Sequence, residues 1–148
     1  MAVFISKSSS DTENIGYSLG KSVADGSVIA MFGDLGAGKT AFTRGFARGM
    51  GIMCDVSSPT FALVNEYRGE RKILYHFDMY RISGWDDLYS TGYFDYLDMG
   101  HTLIIEWSEN IEAILPQNCI RVTITKTEDF NERKIEIIGA ENFEDTCI

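Results

Sequence analysis

Eight consecutive residues, 33 to 40, read Gly-Asp-Leu-Gly-Ala-Gly-Lys-Thr and match the pattern G-x-x-x-x-G-K-[ST]. In this pattern, backbone N–H groups of a tight loop surround nucleotide phosphates, and glycine is required because a side chain would block that approach. The lysine faces the terminal phosphates, and the hydroxyl that follows it binds Mg²⁺. The residues predicted to contact the nucleotide here are Gly33, Gly36, Ala37, Gly38, Lys39, Thr40 and Ala41.

The residues on either side of this loop supply the strand and the helix that it requires. Residues 27–32 form an apolar, β-branched run that is typical of a buried strand, and a helical pattern begins at Ala41. A glycine-rich turn before an ordinary helix is the alternative. We disfavour it because a plain turn has no use for Lys39 and Thr40 directly after it.

A phosphate loop needs a carboxylate at the end of a neighbouring strand to orient Mg²⁺, and the sequence offers two. Glu106 follows Leu-Ile-Ile, and Asp78 ends the strand-like run 73–78. Both acids would emerge at the carboxyl edge of the sheet, where α/β folds bind their ligands. An acid that ends a strand is also often just the start of a solvated loop, so neither assignment is unique.

Length and composition bound the class of protein. The 148 residues, 16.6 kDa in mass, suffice for one core, and we expect a single domain over 1–148. We expect it to be cytoplasmic and to have no membrane contact, since no long apolar run occurs and the three cysteines have no C-x-x-C pairing. The net charge of −9 argues against direct binding of nucleic acid. Any nucleic acid would be reached through a partner.

Hydrophobic periodicity predicts an α/β layered sheet, parallel around the phosphate loop and antiparallel toward the C-terminus. The expected strands are 3–6, 27–32, 61–67, 73–78, 101–107, 120–124 and 135–137. Expected helices follow the polar segment 8–12, begin at residue 41 and end at Gly49 or Gly51, and cover 85–91 and 110–115. Arg44 and Arg48 share one helical face, for which solvated surface is favoured over a docking patch.

The ordered motifs resemble those of the bacterial TsaE (YjeE) family, the small ATPases of tRNA threonylcarbamoyladenosine biosynthesis. The resemblance rests on the phosphate loop, Ser-Pro-Thr-Phe at 58–61, His-Phe-Asp-Met-Tyr-Arg at 76–81, Ile-Glu-Trp at 105–107 and Leu-Pro at 115–116. It spans nearly the whole chain. It implies a P-loop NTPase-like three-layer fold that binds ATP with Mg²⁺, hydrolyses it slowly alone, and acts with TsaD and TsaB, the partners that handle the tRNA.

The resemblance also implies roles for individual residues. Thr40 and Glu106 would be the Mg²⁺ ligands, Lys39 and Asp78 would act with Glu106 in catalysis, and Thr60 would sense the γ-phosphate as part of a switch. Nucleotide contacts are further suggested at Glu13 and Arg133. Trp107 could flank the site, although a core position is favoured. Ala41 departs from the family pattern, in which a second hydroxyl often follows the threonine.

Three functions remain compatible with these residues. An ATPase would position phosphates and neutralise their charge, a nucleotide switch would use occupancy to change partner affinity, and a small-molecule kinase would transfer the γ-phosphoryl group. The first two are mutually compatible. The kinase is the alternative, and it is disfavoured because the sequence has no arginine-rich lid. A GTPase is excluded because no Asn-Lys-x-Asp segment is present to bind guanine.

Overall fold

The computed structural model describes residues 1–34, 36–59, 63–140 and 143. Within them, one mixed sheet of seven strands forms the centre of the molecule. In chain order the strands are β1 (Ala2–Ser6), β2 (Val28–Phe32), β3 (Val64–Arg68), β4 (Ile73–Asp78), β5 (Thr102–Glu106), β6 (Ile120–Lys126) and β7 (Arg133–Ile138). Their order across the sheet is β1-β7-β6-β2-β5-β4-β3.

The strand directions confirm the predicted α/β class. The strand β2 pairs in parallel with β5 and β6, and β5 pairs in parallel with β4. The pairs β6–β7, β7–β1 and β3–β4 are antiparallel. Because β2, β4 and β5 run the same way, their carboxyl ends meet at one edge, which is where the phosphate loop begins.

Helices cover both faces of the sheet. They are α1 (Ser9–Ser22), α2 (Lys39–Gly49), α3 (Trp85–Ser90) and α4 (Tyr93–Asp98), with a 3₁₀ helix at Ser108–Ile114. One core lies between the sheet and α1 and α2, and includes Leu19, Ile29, Phe42 and Ile104. A second core lies under α3, α4 and the 3₁₀ helix, and includes Phe77, Tyr93, Leu103 and Ile105. Alternate residues of β5 enter opposite cores, as the two-residue period of a strand requires.

Glycines bring α1 and α2 into direct backbone contact. A Cβ at Gly45 would lie 1.8 Å from the backbone oxygen of Glu13, and one at Gly20 would lie 2.1 Å from that of Phe46. Gly16 and Gly49 are equally close to backbone oxygens of the facing helix, at 2.2 Å each. The two axes can approach this closely only because these four positions lack a side chain.

Several expected bounds need correction. The helix expected at 85–91 ends at Ser90, and Gly92 is the N-cap of a further helix, α4, which the sequence did not predict. The short helix expected at 110–115 is a 3₁₀ helix that begins earlier, at Ser108. The first part of the expected strand 61–67 lies outside the described residues, and β3 begins at Val64. None of the described helices is both long and apolar enough to cross a membrane.

Candidate nucleotide site

The phosphate loop joins the end of β2 to the start of α2. Gly33, Gly36 and Gly38 have φ angles of 145°, 75° and 110°, in a region that disfavours residues with a side chain. A Cβ at Gly33 would also lie 2.5 Å from the backbone oxygen of Ile124 in β6. The glycines of the motif therefore satisfy backbone geometry as well as access for a ligand.

Lys39 is the first residue of α2 and is only 5% exposed. Its Nζ atom donates a hydrogen bond to the carbonyl oxygen of Gly33 at 2.6 Å and lies 3.5 Å from the centroid of the Trp107 ring. Burial lowers the pKa of Lys39, and the negative charges of Glu109 and Glu106 oppose that shift. The loop itself thus holds the ammonium group in place.

Trp107 occupies both of the positions that the sequence allowed for it, since it lies against the core and flanks the site. Its half-buried ring does pack against the second core, but its face also covers the Lys39 ammonium group, and Tyr80 lies against it with ring centroids 4.9 Å apart. Trp107 has a φ of 58°, so the backbone turns sharply directly after β5. This turn places the ring at the wall of the site.

The two candidate acids lie side by side. Asp78 of β4 and Glu106 of β5 are register partners, and each is 4% exposed. The Thr40 hydroxyl donates to Oε1 of Glu106 at 3.5 Å, so the two predicted Mg²⁺ ligands face each other. The Asp78 carboxylate accepts from the Tyr80 backbone N–H at 2.8 Å and from the Ser58 hydroxyl at 3.3 Å.

These side chains line one cleft of about 450 Å³. Its walls are formed by Gly36, Gly38, Lys39, Thr40, Ala41, Ser58, Asp78, Tyr80, Glu106 and Trp107. The volume lies within the range of small-molecule sites, and the lining combines backbone N–H groups, one cation and two carboxylates. The arrangement is suited to binding phosphates together with a divalent cation.

Two polar residues of the site received no role from the sequence. His76 is fully buried, and its Nε2 atom lies 2.7 Å from Oε2 of Glu106. Glu109, in the 3₁₀ helix, accepts a hydrogen bond from the Gly33 N–H at 3.0 Å. A signal for His76 existed, because it stands two residues before Asp78 in one strand and so shares its face. No local pattern marks Glu109, because it is distant from the phosphate loop in the sequence and is brought to it by the folding of the chain.

Of the two further nucleotide contacts predicted from the sequence, Arg133 lies at the phosphate loop and Glu13 lies between α1 and α2. Arg133 lies against the phosphate loop, where its Nε atom donates to the Ala37 carbonyl at 3.1 Å. Glu13 instead pairs with Arg44 at 2.6 Å and with Arg48 at 3.6 Å across the two first helices. Both arginines are partly exposed and paired with this single acid. Thr60, the predicted switch residue, lies outside the described residues.

Comparison with known proteins places this geometry in a family. The model of the threonylcarbamoyl adenosine biosynthesis protein TsaE matches residues 6–135. The chain belongs to the TsaE family. It is 43% identical to TsaE of Haemophilus influenzae over 115 residues, which cover 78% of this chain and 72% of that protein. It is 40% identical to TsaE of Bacillus subtilis over 117 residues, 79% of this chain and 72% of the relative.

A solved structure agrees with the fold. The crystal structure of YdiB from Bacillus subtilis superimposes with a TM-score of 0.77 at 33% identity, covering 95% of this chain and 86% of that one. The TsaE match begins at Ser6, the last residue of β1, and ends at Ile135 within β7, so it includes every residue of the cleft. The resemblance inferred from the motifs is therefore confirmed at the level of family and fold.

Proposed function

We propose that this TsaE-family chain is a Mg²⁺-dependent, weakly hydrolysing ATP-binding protein of tRNA threonylcarbamoyladenosine modification. In this proposal it acts as a nucleotide switch with TsaD and TsaB. The observation that carries the proposal is the meeting of Lys39 and Thr40, at the start of α2, with Glu106, at the end of β5, in one cleft. Family membership supplies the pathway, and the cleft supplies the chemistry.

The phosphate loop would bind the triphosphate through its backbone. The helix α2 directs its first N–H groups and the positive end of its dipole toward the loop. Lys39 has three donor hydrogens, so it can keep its bond to the Gly33 carbonyl and still donate to a phosphate oxygen. The Trp107 ring limits the motion of the ammonium group, because a displaced lysine would lose the contact with the ring face.

Thr40 and Glu106 fit Mg²⁺ in the chemistry of their ligand atoms and in the number of ligands that the protein supplies. Both offer oxygen, which Mg²⁺ prefers, and Mg²⁺ in such sites takes its other ligands from phosphate and water. Groups of three or more His, Cys, Asp or Glu side chains that could hold a metal are absent from the described part of the chain, so an all-protein metal cage is not offered there. When bound, the ion would neutralise charge on the β- and γ-phosphates.

Asp78 would orient the water that attacks the γ-phosphate. Two donors, the Tyr80 N–H and the Ser58 hydroxyl, fix its carboxylate at the wall of the cleft. An oriented carboxylate beside the reacting group lowers the barrier by positioning, without a covalent intermediate. The described residues of the cleft include no arginine. We therefore expect slow hydrolysis without the partner proteins.

The partners would connect the site to RNA. A net charge of −9 disfavours direct contact with a phosphate backbone, so tRNA would be reached only through TsaD and TsaB. Ser58 lines the cleft and precedes the predicted switch residue Thr60 by two positions in the sequence. A change in nucleotide occupancy could alter the segment that contains Ser58 and thereby the affinity for a partner.

Titration with a fluorescent ATP analogue tests the nucleotide site. Lys39→Ala should weaken Mg²⁺-dependent binding by about 100-fold or more, because it removes the one cation in the described wall of the cleft. Lys21→Ala is the matched control, since Lys21 lies in the last turn of α1 and is exposed. Wild-type affinity in Lys39→Ala would refute the assignment.

A reconstituted modification assay tests the pathway. With TsaD, TsaB and tRNA present, adding this chain should increase repeated turnover of tRNA modification in an ATP-dependent way. Lys39→Ala protein should give no such increase. Failure of the wild-type chain to stimulate modification, together with phosphoryl transfer from ATP to a metabolite, would favour the kinase.

A further inference from the structure

A chain of buried hydrogen bonds leads from Glu106 away from the cleft. His76 lies within β4, is fully buried, and has a partner on each ring nitrogen. Its Nε2 atom lies 2.7 Å from Glu106 Oε2, and its Nδ1 atom lies 3.0 Å from the Tyr67 hydroxyl. Tyr67 belongs to β3 and is 5% exposed, so the connection is shielded from water along its length.

The donors and acceptors of this chain can be assigned consistently. An ionised Glu106 can only accept, so Nε2 of His76 carries the hydrogen that it donates to the carboxylate. A ring with its hydrogen on Nε2 alone accepts at Nδ1, so the single hydrogen of the Tyr67 hydroxyl goes to His76, and the Ser57 carbonyl oxygen keeps the bond that it accepts from Asn65 Nδ2 at 3.1 Å. Burial raises the pKa of Tyr67, which keeps that hydroxyl protonated and able to donate. Every polar side-chain atom in this series of hydrogen bonds has a partner, as buried polar networks require.

At its other end the chain reaches the segment beside the cleft. The Tyr67 hydroxyl also lies 2.9 Å from the Ser57 carbonyl oxygen, to which it donates when its hydrogen is not directed at His76, and it accepts from the Ser57 N–H at 3.3 Å. The next residue, Ser58, donates to Asp78. Ser58 is therefore held by Asp78 at the wall of the cleft. Ser57 is held by Tyr67, which connects through His76 to Glu106.

We propose that Tyr67 and His76 are positioning residues that couple the Ser57–Ser58 segment to the Glu106 carboxylate. This inference rests on the proposed function, in which Glu106 is a Mg²⁺ ligand. Rotation of Glu106 changes the bond to His76, and a buried ring with two fixed partners transmits that change to Tyr67. By reciprocity, a displaced Ser57–Ser58 segment changes the affinity of the acid for the metal.

The Tyr67→Phe variant tests the coupling, because it removes one hydroxyl and keeps the ring. The variant loses the contacts of the hydroxyl with His76 and with Ser57. The half-saturating Mg²⁺ concentration for binding of a non-hydrolysable ATP analogue should rise about 5-fold, the value of the bond to His76, through which the coupling runs. Binding of the same analogue without Mg²⁺ should stay unchanged. Tyr75→Phe is the matched control, since its hydroxyl bonds to Glu66 on the neighbouring strand, away from the cleft.

Hydrogen exchange provides a second readout. Adding Mg²⁺ to the nucleotide-bound wild-type protein should change the exchange of residues 53–59, and Tyr67→Phe should lose that response. His76→Gln can still donate to Glu106 but lacks a second ring nitrogen, so it should behave like Tyr67→Phe. His76→Leu lacks both bonds and should raise the Mg²⁺ requirement further.

The outcomes separate the coupling from the function on which it rests. If the wild-type chain shows no Mg²⁺-dependent binding, the proposed function fails. If the wild type shows it but Tyr67→Phe matches Tyr75→Phe in both readouts, the coupling is refuted. Wild-type behaviour of His76→Gln would also refute it, because the bond to Tyr67 would then be unnecessary. Melting temperatures distinguish a loss of coupling from a loss of stability.

Discussion

The two helical layers that cover the sheet are built differently. In the first layer, α1 and α2 meet backbone to backbone through four glycines. In the second, α3 and α4 have six residues each and pack through aromatic rings, with Tyr93 edge-on to Phe77 at 6.1 Å between centroids. Trp85 and Tyr89 of α3 remain 61% and 65% exposed. The first layer is tightly fixed, whereas the second has side chains that can rearrange.

The layer in which two helices pack backbone to backbone is also the one that carries Lys39 and Thr40 of the site. The helix α2 begins with Lys39 and Thr40, so any shift of α2 along α1 would move both residues relative to Glu106. Backbone contacts have no rotamers, and they resist such a shift better than side-chain contacts do. The second layer contributes only Glu109, from the 3₁₀ helix, to the described bonds of the phosphate loop. A rigid layer therefore positions the residues for which accuracy matters most.

The largest effect that we expect from this comparison is that of Gly45→Ala. In an exposed helix the change would stabilise by about 1 kcal/mol, but here the new Cβ would lie 1.8 Å from the Glu13 backbone oxygen. Separation of the helices should cost about 3 kcal/mol, the upper part of the usual range for overpacking, because the clash is with backbone, so the net effect is destabilising. Chemical denaturation measures the change in the free energy of unfolding.

Gly84→Ala in the second layer is the matched control for this experiment. Gly84 precedes α3 with an extended φ of −164°, and a Cβ there would have no atom within 4 Å. Gly84 is the N-cap of α3, where alanine is less favourable than glycine, so the stability should fall by less than about 1 kcal/mol. Equal losses for the two variants would contradict the view that the layers differ in rigidity.

The sequence predicted the fold, and it singled out most of the residues that the structure brings together in the cleft, because both have local signals. The phosphate loop is contiguous, and Asp78 and Glu106 each end an apolar strand whose direction follows from the loop. Two-residue alternation marked β6 and β7 correctly. A short-range pattern was sufficient to predict strands that bury one face, because alternate residues of such a strand are then apolar.

What the sequence did not yield depends on contacts between distant residues. No local pattern assigns a role to Gly45, because that role is set by its contact with Glu13, 32 positions earlier. Its four-residue spacing from Gly49, repeated at Gly16 and Gly20, was the available signal. The helix α4 was missed because Gly92 is a stop signal for α3, and the same residue in a left-handed conformation begins the next helix.

A second prediction compares two glutamates, Glu106 at the end of β5 and Glu109 in the 3₁₀ helix of the second layer. Glu106→Gln should lower the rate of ATP hydrolysis by about 100-fold, because a neutral amide is a poor ligand for Mg²⁺. Glu109→Gln makes the same chemical change in the 3₁₀ helix, but the glutamine oxygen can still accept from the Gly33 N–H. That variant should lose less than about 5-fold.

Steady-state kinetics with the nucleotide affinity measured separately would test this pair of variants. For Glu106→Gln, the loss in turnover should exceed the loss in Mg²⁺-free nucleotide binding. The same test on Asp78→Asn should give a similar separation, because Asp78 is proposed to act on water and not on the nucleotide itself. Equal losses in turnover and binding would show that the acids are structural.

The smallest effect concerns pH and the side-chain packing of the second layer. Tyr93 is fully buried, its hydroxyl donates to the Ile114 carbonyl at 3.3 Å, and burial raises the pKa of Tyr93 to about 12. An unfolded tyrosine has a pKa of about 10. Between these values the unfolded chain loses a proton that the folded chain keeps, so stability falls as pH rises, by up to about 1.4 kcal/mol per pH unit.

Tyr93→Phe isolates this contribution from those of the other tyrosines. At pH 8 the variant should be less stable than the wild type by about 1 kcal/mol, the value of one buried hydrogen bond. At pH 11 deprotonation of the unfolded wild type has removed about that much stability, whereas the variant has no hydroxyl at position 93 to titrate. The difference in the free energy of unfolding between the two proteins should therefore fall to about zero or change sign. Urea denaturation at both pH values measures it. A difference that stays constant with pH would mean that the second layer admits water to Tyr93, and hence that it is even looser than its aromatic packing indicates.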